Sequence, residues 1–180
     1  MALFSDGHNL KVYLDSNAWI SAINSESGID LILSGHNAGS FMLVVSQENL
    51  NELILNFKIK REVFDKNFSA IETLIPNARD DELFVLDHSL LDYARIGDER
   101  SGGIFGLHIQ GKVVNDNNLA DGVHLVNAVK FEAVLISCDD AVRKTSQDIQ
   151  HPLKCLKAWF SELQWDASGL EICGCKSLRE

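Results

Sequence analysis

Short β-type runs recur along the chain, and polar residues bound each of them. KVYLD covers 11–15, FMLVV covers 41–45 and AVLIS covers 133–137. LFVLD at 83–87 is a further run of the same kind. Apolar runs of this length are typical of strands whose two faces are covered by helices. The pattern therefore predicts a set of buried β-strands.

Segments with apolar residues at helical spacing lie between these runs. The predicted helices cover 16–24, 28–39, 46–57, 60–75, 88–96, 119–131 and 138–147. In the helix that Ser46 caps, Leu50, Leu53, Ile54 and Phe57 recur at helical spacing. Strand and helix thus alternate, which predicts an α/β fold with a mainly parallel central sheet and helices on both faces.

The length and composition suit one compact globular domain. The chain has 180 residues, of which 46% are hydrophobic and 23% are charged, enough for a sheet with covering helices. We expect a single domain over 1–180, with a loop at 100–118 and a C-terminal extension from 149 to 180. Four cysteines are too few for a disulfide framework in a chain this long, so we expect reduced thiols.

Neither a membrane span nor a secretory signal is predicted. A membrane helix needs about 18 or more consecutive apolar residues, and a signal needs a basic region before a long apolar core. The sequence has neither pattern. We therefore expect a soluble cytoplasmic protein with no membrane partner.

The charge of the chain argues against a broad basic surface for nucleic acid. Sixteen basic and 26 acidic residues give a formal net charge of −10, the wrong sign for binding phosphates over a wide area. Seven acids and three bases fall within residues 79–100. Small basic spots remain at 58–61 (KIKR) and 143–144 (RK). Any contact with nucleic acid is therefore expected to be local.

Four carboxylates fall where the predicted strands end. Asp15 closes the first strand, Glu52 lies in the helix after the second, Asp121 begins a helix and Asp139 follows the AVLIS strand. The carboxyl ends of parallel strands lie at one edge of a sheet, so we expect these acids to converge. Like charges that close need a compensating cation. Because the nearest basic residues in sequence lie turns further along their helices, a divalent ion is the simpler partner, and oxygen ligands favour Mg²⁺ or Mn²⁺.

Each acid also has a structural interpretation. Asp121 and Asp139 suit helix N-termini whatever the function, because the helix dipole favours negative charge there. Asp15 would begin a turn, and Glu52 would be a solvated helix position near the buried stripe. His124, one turn after Asp121, is either a packed core histidine or a hydrogen-bond donor to the site.

Four segments resemble the acidic motifs of PIN-domain nucleases, in the family's order. They are VYLDSNAWISAI, VVSQENLNELI, LADGVHLVNAV and LISCDDAVRK, and the match spans residues 11–148. The resemblance implies a PIN-like three-layer α/β/α fold. It also implies a set of metal-binding acids at Asp15, Glu52, Asp121 and Asp139, with Asn17 and Ser137 as supporting polar groups. Asp140 either replaces Asp139 or contributes from the next turn.

The resemblance further implies a Mg²⁺- or Mn²⁺-dependent endoribonuclease. Many bacterial members of the family are toxins that an antitoxin protein inhibits, so the implied partners are an RNA substrate, an antitoxin and a second copy of the chain. The candidate phosphate contacts are Lys58, Lys60, Arg61, Arg143 and Lys144. The alternative from another class is a PIN-like module without catalysis that binds a protein or RNA. A hydrolase with an aspartate nucleophile fits less well, because LDSN lacks the paired aspartates that such chemistry uses.

Overall fold

A parallel four-stranded sheet organises the residues that the computed structural model describes, namely 10–75, 116–148 and 150–170. The strands are β1 (Lys11–Leu14), β2 (Met42–Val44), β3 (Val134–Ile136) and β4 (Leu153–Lys154). Their order across the sheet is β2-β1-β3-β4, and each neighbouring pair is parallel. The predicted α/β fold with a mainly parallel sheet is confirmed in this part of the chain.

The helices follow the strands in the alternation that the sequence predicts. They are α1 (Ser16–Asn24), α2 (Gly28–Asn37), α3 (Gln47–Leu55), α4 (Arg61–Glu72), α5 (Asp116–Lys130), α6 (Asp140–Asp148) and α7 (Leu156–Glu162). α5 begins inside the segment that was predicted to be a loop. The strand predicted at 83–87, the acidic segment 79–100 and the loop up to residue 115 lie outside the described residues.

The sheet carries helices on both of its faces. Side chains alternate along a strand, so Tyr13 and Leu135 point to one face while Val12, Leu14 and Ile136 point to the other. The first face packs against α5 and α6, through residues that include Val123, Leu125, Val126 and Val142. The second packs against α1, α2, α3, α4 and α7. The described residues therefore form a helical layer on each side of the sheet.

The strand order reverses between β1 and β3. The chain leaves β1 toward β2 on one side, then returns past β1 to place β3 on the other side. Leu14 pairs with Ile136 at the end of this ladder, and the Asp15 N–H donates to the Ile136 carbonyl at 3.0 Å. In open α/β sheets such a reversal leaves a crevice beyond the carboxyl ends of the strands. The residues after β1 and β3 therefore lie side by side.

The C-terminal extension contributes to the sheet, which the sequence analysis did not predict. β4 pairs with β3 through Leu135↔Leu153 and Ile136↔Lys154. Just beyond this pair, the Sγ atoms of Cys138 and Cys155 are 3.8 Å apart. This contact between the two cysteine side chains was also not predicted, because the residues belong to segments that only the sheet brings together. None of the helices in the described ranges has the length and apolar character that crossing a bilayer requires.

The corner between α1 and α2 predicts the effect of one substitution. A Cβ added to Gly28 would lie 2.1 Å from Ser25 Oγ and 2.8 Å from the Ala22 carbonyl oxygen, and a backbone oxygen cannot move aside as a flexible side chain can. We expect Gly28→Ala to destabilise the fold by about 1–3 kcal/mol, as overpacking typically does. Urea unfolding measures the change. Gly169→Ala is the control, because its Cβ would meet Ser25 at an ordinary 3.7 Å. Equal stability of the two variants would contradict the packing of this corner.

Candidate functional site

A cleft of about 570 Å³ lies beyond the carboxyl ends of β1 and β3. Its size is within the range of small-ligand pockets in proteins. Its walls come from four separate segments of the chain. They comprise Asp15, Ser16, Asn17, Ile20, Glu52, Leu55, Asn56, Lys58, His124 and Asp139. The structure thus brings three of the four predicted acids, together with Asn17, to one cleft.

Asp15 is buried at the base of the cleft, where its side chain has a structural role as well. It is the N-cap of α1, and its Oδ1 accepts a hydrogen bond from the Ala18 N–H at 2.7 Å. Burial raises the pKa of Asp15, and hydrogen bonds from Ser137 and Ala18 and the charge of His124 only partly offset that effect. The charge of Asp139 raises the pKa further. The ionised form of Asp15 is therefore disfavoured unless more positive charge enters the cleft.

Glu52 is tied to the other wall by two neighbours. Ser16 Oγ donates a hydrogen bond to Glu52 Oε2, and His124 Nε2 lies 3.1 Å from the same oxygen. Burial alone would raise the pKa of Glu52, but the hydrogen bond and charge of His124 and the hydrogen bond of Ser16 lower it. Glu52 is therefore ionised at neutral pH, with one carboxylate oxygen already engaged.

His124 is a buried group between the sheet and the cleft, and its hydrogen-bond partners favour its protonated form. Its ring is 3% exposed. Burial alone would lower the pKa of His124, but its interactions with Tyr13 and Glu52 raise it well above the usual value. Both ring nitrogens then donate, Nε2–H to Glu52 at 3.1 Å and Nδ1–H to Tyr13 Oη at 2.9 Å. The Tyr13 hydroxyl continues the chain to Ser46 Oγ at 2.8 Å.

His124 is a partner for Glu52 that comes from within the protein. A divalent ion was the simpler partner expected for the acids, because the nearest lysines and arginines in sequence lie turns further along their helices. His124 in its protonated form would supply part of the compensating charge, since its Nε2 lies 3.1 Å from Glu52 Oε2 and its pKa is raised. The sequence feature that pointed to His124 as a site residue was its position three residues after Asp121 in the same helix. Ser16 and Tyr13 carried no comparable signal, since their partners are distant in sequence.

Asp139, not its neighbour Asp140, lines the cleft. The Asp139 N–H donates to Ser137 Oγ at 3.1 Å, and Asp139 Oδ1 accepts from the Val142 N–H at 3.0 Å. Asp139 is therefore both a helix-capping residue and a wall of the cleft. Asp140 is exposed, is not among the residues that line the cleft, and forms an ion pair with Arg143. Ser137 is buried between the two acids, since a hydrogen bond from its side chain also lowers the pKa of Asp15.

The predicted metal ligands form no ready-made cage among the side chains that the structure describes. No group of three or more His, Cys, Asp or Glu is arranged there to hold an ion. Asp121 lies in α5, three residues before His124, but its side chain is outside the described set. Mg²⁺ usually takes one or two carboxylates and keeps several waters. Asp15, Glu52 and Asp139 bring carboxylate oxygens to the cleft, and such oxygens are the donors that a hard divalent cation prefers.

The predicted phosphate contacts fall into two groups. Lys58 lines the cleft and Lys60 is exposed beside it. Arg61 is engaged locally, since it donates to the Ile54 carbonyl at 3.0 Å and pairs with Asp65 at 3.2 Å. Arg143 pairs with Asp140 in α6. The side chain of Lys144 lies outside the described part of that helix.

Comparisons with known proteins give no family assignment. A scan of the chain against protein-family models finds no match, and searches of curated proteins and of solved structures find none either.

The His124 interactions predict how stability depends on pH. Because the pKa of His124 is raised in the folded state from 6.5, its protonation stabilises the fold fully below about pH 6.5, and this contribution is lost as pH rises through the folded-state pKa. His124→Gln should cost roughly 1–3 kcal/mol near pH 6.5, since it leaves buried groups unsatisfied. It should also flatten the decline of stability at higher pH. Urea unfolding in EDTA from about pH 6 to pH 9 measures both effects. Parallel pH profiles for the two proteins would show that His124 is not charged in the fold.

Proposed function

We propose that the protein is a metal-dependent endoribonuclease of the PIN-domain type, which hydrolyses phosphodiester bonds of RNA in the cleft. The observation that carries the proposal is the meeting of Asp15, Glu52 and Asp139, from three distant segments, at the point where the strand order reverses. Binding sites in open α/β sheets lie at such points. The order of the four acidic motifs supports the same assignment.

Asp15 and Asp139 would hold a Mg²⁺ or Mn²⁺ ion, with Asp121 as a further ligand. Ser137 hydrogen-bonds Asp15 and accepts from the Asp139 N–H, so one hydroxyl sets the relative positions of the two acids. When bound, the ion would stabilise the charge that develops on the phosphate oxygens during cleavage. It would also remove the penalty on ionised Asp15.

Glu52 would orient the attacking water through the carboxylate oxygen that faces the cleft. His124 and Ser16 hold its Oε2, which leaves the group ionised and limits its rotation. A carboxylate with a lowered pKa is a weak base, so its role is to position the water rather than to take up its proton permanently. His124 and Ser16 are accordingly positioning residues.

A PIN-like module without catalysis is the second candidate. One observation favours it, namely the contact of Glu52 with His124, which can compensate that carboxylate without a metal ion. Such a module would use the cleft to bind a protein or RNA without divalent ions. The motif resemblance supports an antitoxin and a homodimer as partners of either form.

Cleavage of a mixed RNA pool with Mn²⁺ tests the nuclease directly. Asp15→Asn and Asp139→Asn should lose most of the cleavage, because each removes a charged ligand but keeps an oxygen that can cap its helix. Asp140→Asn is the matched control, since it changes the adjacent carboxylate, which lies outside the cleft, and it should cleave normally. Normal cleavage by Asp15→Asn, or equal losses for Asp139→Asn and Asp140→Asn, would contradict the assignment.

Thermal unfolding in the presence of divalent ions separates the two candidate functions. An ion that binds only the folded state stabilises it by about 2.7 kcal/mol at one hundred times its Kd. We expect Mn²⁺ to raise the Tm of the wild type but to have little effect on Asp15→Asn. Calcium-free buffers with added EDTA should return the wild type to its starting Tm. An unchanged Tm in Mn²⁺ would favour the module without catalysis.

A further inference from the structure

The turn after α3 presents a fully exposed aromatic ring beside the cleft. Sequence periodicity placed Phe57 at helical spacing with Leu50 and Leu53, yet α3 ends at Leu55 and Phe57 is fully exposed. Leu50 and Leu53 are buried as that pattern predicts. Burying a phenylalanine side chain typically stabilises a fold by about 1.5–3 kcal/mol. The fold forgoes that gain at Phe57.

The turn is held in place from both sides, so the exposure of Phe57 does not come from a loose end. The Asn24 side chain donates to the Lys58 carbonyl and accepts from the Lys60 N–H, both at 2.8 Å. The Lys58 N–H donates to Asn56 Oδ1 at 2.8 Å. Ile59, two residues after Phe57, is buried in the core. The backbone therefore fixes where the Phe57 ring is presented.

The surroundings of the ring suit a strand of nucleic acid. Leu55, Asn56 and Lys58 line the cleft, so Phe57 lies within the segment that forms this wall. Lys58 and Lys60 are exposed on the same turn. An aromatic face beside lysines is the combination that binds single-stranded nucleic acid, since the ring stacks on a base and the amines contact phosphates. A protein with net charge −10 needs such local contacts to hold a polyanion.

We propose that residues 55–60 form a binding rim for single-stranded RNA, in which Phe57 stacks on a base while Lys58 and Lys60 contact the neighbouring phosphates. The rim would place the next phosphodiester over the acids of the cleft. This inference rests on the proposed function for its choice of RNA. It adds the residues that would hold the strand. Stacking on Phe57 requires an unpaired strand, because a base within a duplex offers no free face for stacking.

Binding of a single-stranded RNA that carries 2-aminopurine tests the rim without any cleavage. With wild type in EDTA, we expect quenching of the 2-aminopurine fluorescence, which reports stacking. Phe57→Ala should raise the Kd at least about fivefold and abolish the quenching. Phe57→Trp should retain both, whereas Phe57→Leu should retain neither. Lys58→Gln should weaken binding and reduce its dependence on salt.

Met42→Ala is the matched control, because Met42 is a partly exposed apolar residue at the start of β2 and does not line the cleft, which lies beyond the carboxyl ends of β1 and β3. Its loss should leave the Kd unchanged. A Phe57→Ala variant that binds as wild type does would overturn the rim. Equal binding by Phe57→Leu and Phe57→Trp would do the same, because it would indicate a general apolar contact such as a protein surface. Absence of single-stranded RNA binding by wild type would also overturn it.

The same variants separate the rim from the nuclease. Cleavage with Mn²⁺ that depends on Asp15 but has an unchanged KM in Phe57→Ala would overturn the rim and leave the nuclease standing. RNA binding that weakens in Phe57→Ala, with no cleavage by wild type, would leave the rim standing and overturn the nuclease. A wild type that neither binds nor cleaves single-stranded RNA would overturn both.

Discussion

The parallel pairing of β1 with β3 is the constraint on which the cleft depends. The two strands are adjacent in the sheet although well over a hundred residues separate them, and the Leu14↔Ile136 pair ends both at the same level. Asp15 must then emerge beside Ser137 and Asp139. Helices on both faces complete the walls, because α3 brings Glu52 and α5 brings His124. If β1 and β3 were not adjacent in the sheet, Asp15 and Asp139 would each cap a helix but would not meet in one cleft.

Electrostatics inside the cleft divides its acids into two kinds. Glu52 has a partner within the protein, since the buried His124 provides a positive charge and Tyr13 completes the hydrogen bonding of that ring. Burial raises the pKa of Asp15, and the hydrogen bonds of Ser137 and Ala18 together with the charge of His124 only partly offset this. Buried charges are costly unless they are paired or bind a cation. The cleft is therefore built around one internal ion pair and one carboxylate that would gain from an external cation, which is the division of roles that the proposed chemistry uses.

The proposed RNA contacts reconcile the acidity of the chain with a polyanionic substrate. A net charge of −10 excludes recognition through a wide basic surface, and in the described residues Arg61 and Arg143 are both paired with carboxylates. The turn after α3 offers stacking and two exposed lysines instead. Stacking does not depend on net charge, so an acidic protein can use it. Affinity would then be modest and confined to the cleft and its rim.

The sequence by itself determined the elements, because local patterns report local structure. The apolar runs located β1, β2 and β3, and Ser46 marked the start of α3, where it forms the predicted cap. The alternation of strand and helix was enough to predict a parallel sheet. The parallel sheet in turn predicted that Asp15, Glu52 and Asp139 lie close together. The two-residue strand β4 was missed, since Leu153–Lys154 is too short to show any period.

Tertiary structure decided which of the chemically similar neighbours face the cleft. Asp139 and Asp140 are adjacent in sequence, and only the start of α6 directs one to the cleft and the other to Arg143. His124 could be a core residue or a partner of the acids until the fold placed Glu52 beside it. Phe57 fits the apolar spacing of α3, but the helix ends at Leu55, two residues before it, and the ring is exposed. Each of these outcomes depends on contacts between segments distant along the chain, and a periodic pattern carries no record of such contacts.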